Sequence, residues 1–233
     1  MTAMATNGPR QLALALSHDE SHAREDFVSG PGNASALALV ERWPDWPNQS
    51  VVLVGPEGAG KSHLASIWAR TAGARFIAAR ALADADLPST LVTGALVLED
   101  VAPGQVDERA LFHLLNLVRE EGASLLLTAR SAPSGWAIGL RDLASRLRAL
   151  PVVTLEAPDD ALLRAVLMKL CSDRQLVVDE SLIDYLATRI ERSFGAARDI
   201  VARLDAEALR RRRPVTRTLA AELIREDEQP RLL

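Results

Sequence analysis

At 233 residues and 48% hydrophobic content, the chain is long enough for one sizeable core with a small appended domain, which excludes a disordered scaffold. A net charge of -4 gives no broad basic footprint and excludes sequence-independent DNA binding by the whole surface. The single Cys171 rules out an internal disulfide, and no stretch approaches the roughly twenty apolar residues of a membrane span, so a soluble, cytoplasmic protein with no membrane partner is expected.

Residues 1–22 read as a flexible tail. Its first ten residues are small and polar, and the stretch after Leu16 is charged and histidine-containing, yet between them lies the apolar hexamer "QLALAL", residues 11–16. Neither flank can bury Leu12, Leu14 and Leu16, so these side chains call for a partner outside the tail.

Residues 23–157 alternate short apolar runs with amphipathic stretches. "VVLVG", "RFIAA", "ALVLED", "SLLLTA" and "VVTLEA" have the near-continuous apolar character of strands covered by helices on both faces, hence a parallel α/β sheet. Between them, "DERALFHLLNLVREEG" places Leu111, Leu114, Leu115 and Val118 on one helical face and Gly122 at the stop. From residue 158 to 233 the texture is helical only. Asp159 and Asp179 stand at N-cap positions, and Cys171 occupies a helix core position rather than that of an activated thiol.

"GPEGAGKS", residues 55–62, matches G-x-x-x-x-G-K-[ST] between a strand and a helix, the context in which that pattern cradles phosphates. Gly55, Gly58 and Gly60, with Pro56 and Ala59 between them, let backbone N–H groups approach phosphate oxygens. Lys61 supplies charge to the terminal phosphates, Ser62 can ligate magnesium, and His63 at the helix start completes the expected nucleotide-binding set. "LVLED" ends a strand in Glu99 and Asp100, the second half of such a site, where a carboxylate holds magnesium and polarises water. The expected ligands are ADP or ATP with Mg2+.

The P-loop, "LVLED", "LLLTARSAP", "LRDLASRLRA" and "GAARDI", in that order and followed by helices, resemble the AAA+ ATPases, and more closely the ATPase domain of the replication initiator DnaA. The resemblance implies a P-loop NTPase fold with a small helical lid after the sheet. "DFVSGPGNASAL", residues 26–37, resembles the segment that borders the adenine pocket in that family, around Val28. By the same resemblance Thr128 falls in the sensor 1 motif, Arg146 of "ASRL" matches the arginine finger, and Arg198 matches the sensor 2 arginine. Glu99 stands where the family usually has aspartate, which leaves open whether Glu99 or Asp100 serves magnesium.

A DnaA-like ATPase domain, an expected absence of the DNA-reading domain after residue 233, and the tail hexamer together resemble the Hda family of regulatory inactivators of DnaA. That resemblance implies two partners. Gln11, Leu12, Leu14 and Leu16 would dock in the groove of the DNA polymerase III sliding clamp (beta subunit), so that DNA contact is indirect through the clamp. Arg146 would act on ATP bound to DnaA. A homo-oligomer is compatible with the family, and the rival expectation is an autonomous P-loop ATPase such as a helicase loader. "RRRR", residues 210–213, reads as a solvated helix C-terminus.

Overall fold

Five parallel strands form one sheet in the computed structural model, which describes residues 23–228. They are β1 (Ser50–Val54), β2 (Arg75–Ala78), β3 (Ala95–Val101), β4 (Ser124–Ala129) and β5 (Val152–Thr154), in spatial order β2-β3-β4-β1-β5. Helices α1 (Ala34–Glu41), α2 (Lys61–Ala72), the single turn α3 (Leu87–Thr90), α4 (Glu108–Glu121) and α5 (Arg141–Arg148) precede or connect the strands. The tail, with Gln11, Leu12, Leu14 and Leu16, lies outside the described residues.

Side-chain alternation along the central strands divides the core into two layers. Val52, Val54, Leu96, Leu98, Leu125 and Leu127 pack with Leu111, Leu114 and Val118 of α4 and Leu143 and Leu147 of α5. Val51, Leu53, Val97 and Leu126 point the other way, onto Leu64 and Trp68 of α2 and Leu37 and Val40 of α1. Both faces being covered explains the unbroken apolar runs of β1, β3 and β4. The other two runs depart from that expectation: β2 and β5 are edge strands, with Phe76 and Val152 exposed. Each has a neighbour on one side only, so its apolar residues meet helices incompletely.

Four further helices, α6 (Asp160–Asp173), α7 (Glu180–Ala187), α8 (Phe194–Arg211) and α9 (Arg217–Glu228), bury a separate core. It includes Leu163, Leu167 and Cys171 of α6, Leu186 of α7, Val201 and Leu204 of α8 and Ala220 of α9. Asp159, Asp179 and Ser193 cap α6, α7 and α8 by accepting from the backbone N–H groups of Leu162, Leu182 and Ala196, which satisfies donors that the helix leaves orphaned. Among the described residues no helix is long and apolar enough to cross a membrane.

Candidate nucleotide site

Because all five strands are parallel, their C-terminal ends share one end of the sheet, the end at which open α/β sheets bind ligands. The phosphate loop leaves β1 there. Gly58 and Gly60 hold φ of 71° and 93°, and Gly60 is the N-cap of α2, so the first amides of α2 face the loop's hollow. Lys61 is only 8% exposed. Its Nζ donates to the Gly55 carbonyl at 2.8 Å and the Pro56 carbonyl at 2.7 Å, and burial pulls the ammonium below the ordinary lysine value while Asp100 pushes it back up. An ammonium folded onto its own loop, beneath a run of left-handed glycines and a helix N-terminus, is a donor set that fits nucleotide phosphates.

Glu99 and Asp100 lie two strands away, at the end of β3, with Thr128 of β4 between them and the phosphate loop. Leu98 pairs with Leu127 and Val101 with Ala129, so β3 carries one more residue than β4 over this step and bulges at Glu99–Asp100. Asp100 adopts φ 56°, and its N–H donates at 3.0 Å to the Oγ1 of the buried Thr128. Aspartate is among the few residue types that enter this region readily. The bulge leaves Asp100 exposed and Glu99 half-buried. Ser62 is exposed in the first turn of α2, and a hydroxyl with one or two carboxylate oxygens is a donor set that would fit a magnesium ion beside phosphates.

The leading segment and the helical region close the other side. Asn33 holds the chain around Val28, its Nδ2 donating to the Val28 carbonyl at 3.1 Å and its Oδ1 accepting from Gly30 N–H at 2.8 Å. Phe27 meets the His63 ring edge-on, with centroids 5.3 Å apart, and His63 Nε2 lies 3.1 Å from the Ala23 carbonyl. Lys169 of α6 pairs with Asp26 at 2.7 Å. The start of α8 reaches the phosphate loop itself, where Phe194 N–H donates to the Gly58 carbonyl at 2.9 Å. Arg198, half-buried, follows one turn later on α8.

Arg146 is elsewhere. It sits in the last turn of α5, which runs back from the end of β4 toward the start of β5. There it lines a hollow of about 480 Å³ with Arg119 and with Asn48, Gln49 and Ser50, the residues that begin β1. Its guanidinium donates to Asn116 Oδ1 and lies 4.8 Å from the centroid of the Phe112 ring. Val28, the phosphate loop, Glu99, Asp100, Thr128 and Arg198 thus belong to the C-terminal end of the sheet and the elements that cover it, and Arg146 to the opposite end.

Several contacts at the site carry no motif in the sequence. Arg130 and Glu57 form an exposed ion pair at 2.5 Å across the loop, and Asp26–Lys169 and Phe194–Gly58 join segments more than a hundred residues apart. The one available signal was the arginine directly after the Thr128 strand.

No family model matches the chain. It is 23% identical to the chromosomal replication initiator protein DnaA of Thermomicrobium roseum over 257 aligned positions, covering 94% of this chain and 53% of that protein. Against DnaA of Caulobacter sp. (strain K31) it is 31% identical over 163 positions, covering 59% of this chain and 34% of that protein. The chain therefore spans about half the length of one of these curated relatives and about a third of the other. Among solved structures, domain III of Thermotoga maritima DnaA superposes with a TM-score of 0.76 at 19% identity, covering 91% of this chain and 99% of that one. A DnaA bound to AMPPCP and single-stranded DNA gives 0.68 at 21% identity, covering 83% and 68%. The Holliday-junction branch migration motor RuvB of Thermotoga maritima gives 0.66 at 14% identity, covering 86% and 70%. The fold is that of the AAA+ P-loop NTPases, and over most of its length the chain is similar to DnaA.

Proposed function

We propose that the chain is a nucleotide-binding regulator of replication initiation of the Hda type, which acts with the DNA-loaded sliding clamp to stimulate hydrolysis of ATP held by DnaA. The observation that carries this reading is the separation between Arg146 and the chain's own phosphate loop, which lie at opposite ends of one sheet. An arginine so placed lies away from its own subunit's phosphate loop, which supports a role toward a neighbour's nucleotide. The similarity to DnaA over nearly the whole chain supports DnaA as that neighbour.

Bound in the loop, an adenine nucleotide, ADP in this reading, supplies phosphate charge and a magnesium site. Lys61, which donates to the Gly55 and Pro56 carbonyls, would supply the ammonium facing that charge. The amides of α2 would add donors, and Ser62 with Glu99 or Asp100 would hold the magnesium ion. Val28 and its Asn33-fixed segment border the base, and Arg198 links the site to the helical region. Residues 23–157 act here as the nucleotide-binding domain and residues 158–233 as its lid. Arg146, held by Asn116 and Phe112, meets the developing phosphoryl charge on the partner, where such a guanidinium contributes on the order of a thousandfold or more in rate.

The test follows conversion of labelled ATP to ADP on DnaA in the presence of clamp-loaded DNA. Arg146→Ala should abolish stimulation while leaving ADP binding by the chain intact, and Arg141→Ala and Arg148→Ala, on the same helix, should stimulate as wild type does. Conversion by Arg146→Ala at the wild-type rate refutes the trans-acting finger. DnaA-independent turnover by the chain that matches the stimulated rate would instead support an autonomous ATPase.

A further inference from the structure

The arginine run at the end of α8 is not uniform. Arg210 and Arg211 both pair with Glu207, whose carboxyl they hold down at about 2, and Arg211 also pairs with Glu222 at 2.6 Å. Arg212, the C-cap of α8 with φ 52°, and Arg213 have no carboxylate partner among the described residues and are exposed. After three intervening residues, Arg217 is the first residue of α9.

Arg217 and Arg189 meet on one ring. Their guanidinium carbons lie 4.8 Å and 5.1 Å from the centroid of Tyr185, so the two charges are at most about 10 Å apart. Neither has a carboxylate partner among the described residues, and Asp184, next to Tyr185, is taken by Arg164 at 2.7 Å. In a chain of net charge -4, four exposed guanidinium groups with no carboxylate partner among the described residues thus lie just after α7, in the α8–α9 connection and at the start of α9.

We propose that this Tyr185-centred face binds the phosphodiester backbone of duplex DNA directly. Stacking on an aromatic ring holds a guanidinium flat and leaves its N–H edges free, the arrangement that suits phosphate oxygens. Four charges spread over three elements match an extended polyanion, whose phosphates recur every ~3.4 Å along each strand, better than one small anion. Tyr185 is occupied by two guanidinium groups and is not offered to a base. Binders of single strands rely on available aromatic faces, so the geometry favours duplex backbone contact. This contact is independent of the clamp and goes beyond the proposed action on DnaA.

The experiment is fluorescence anisotropy of a labelled 20-base-pair duplex of mixed sequence with the full chain, without clamp, across 50 to 200 mM salt. Each lost phosphate contact should reduce the log–log salt slope by about 0.9. Arg189→Ala/Arg217→Ala should therefore flatten it by roughly 2 and weaken binding at low salt by tenfold or more. Arg212→Ala/Arg213→Ala, which removes side chains with no carboxylate partner among the described residues, should do the same and provides the readout should the first variant fold poorly. Arg164→Ala, a charge engaged by Asp184, should leave both quantities unchanged. Wild-type affinity and slope in both double variants overturn the proposal. So does tighter binding of the single strand, or equal binding of polyglutamate, which would identify an acidic protein partner instead.

Discussion

Gly58 carries two demands at once, a left-handed backbone and room for its neighbour. A Cβ there would stand 2.6 Å from the Cβ of Ser193, whereas one at Gly73, with nearly the same φ, would meet nothing within 4 Å. Gly73→Ala should therefore cost about 1–2 kcal/mol, the left-handed penalty alone. Gly58→Ala should cost more, because the start of α8 must move off the loop. Urea denaturation of the two variants checks this, and equal losses would mean that the Ser193 contact carries no energy. Lys61 makes a different prediction. Its Nζ has only loop carbonyls as acceptors, so Lys61→Ala should change the ligand-free melting temperature little while removing the rise that ADP produces. For the wild type that rise corresponds to about 2.7 kcal/mol at a hundredfold excess over Kd, read by differential scanning fluorimetry. The residue pattern made Gly55, Gly60 and Lys61 legible in the sequence, because phosphate cradling demands those types at that spacing. It could not reveal Ser193, Phe194 or Asp26, whose contacts depend on how two cores meet rather than on any local period.

Continuous apolar runs located all five strands, and helical periodicity located the helices after residue 158, whose buried faces form one core. The position of a strand within the sheet is a long-range property, and the runs of β2 and β5 gave no sign that they lie at the edges. The bulge at Glu99–Asp100 was equally silent, being set by the pairing of β3 with β4 rather than by composition. Within the helical core, Cys171 on α6 is 1% exposed, and burial raises its thiol from the ordinary 9.0 to about 11. The sign follows from proton counting. Between pH 9 and 11 the unfolded chain has released the thiol proton while the folded chain retains it, so the stability contributed by the buried neutral thiol is full below pH 9 and is lost as pH rises through that window. Cys171→Ala should be less stable at pH 8, through the space it leaves, yet its stability should decline less steeply between pH 9 and 10.5. Urea midpoints at each pH measure the difference. Parallel curves for the two proteins would show that the thiol does not titrate differently on folding.

At the scale of the whole molecule, the proposed activity divides among three places that share no residue: the hexamer of the tail, the phosphate loop and Arg146. Leu12, Leu14 and Leu16 have no apolar flank in sequence. Gln11→Ala/Leu12→Ala/Leu14→Ala should therefore abolish binding to immobilised sliding clamp and leave both the melting temperature and its ADP-induced rise unchanged. A short peptide binds through a small area and must offset the cost of ordering its own chain, so losing two apolar anchors should lower affinity by well over tenfold. The same variant should also fail to stimulate hydrolysis on DnaA at low protein concentration, since docking on the clamp raises the local concentration of Arg146 near its target. High concentrations of the variant should restore part of the stimulation, a recovery that Arg146→Ala cannot show because its missing charge is not a matter of encounter. If the tail variant binds clamp as tightly as wild type, docking lies elsewhere on the chain. If it loses clamp binding but stimulates normally at every concentration, the clamp has no part in the reaction.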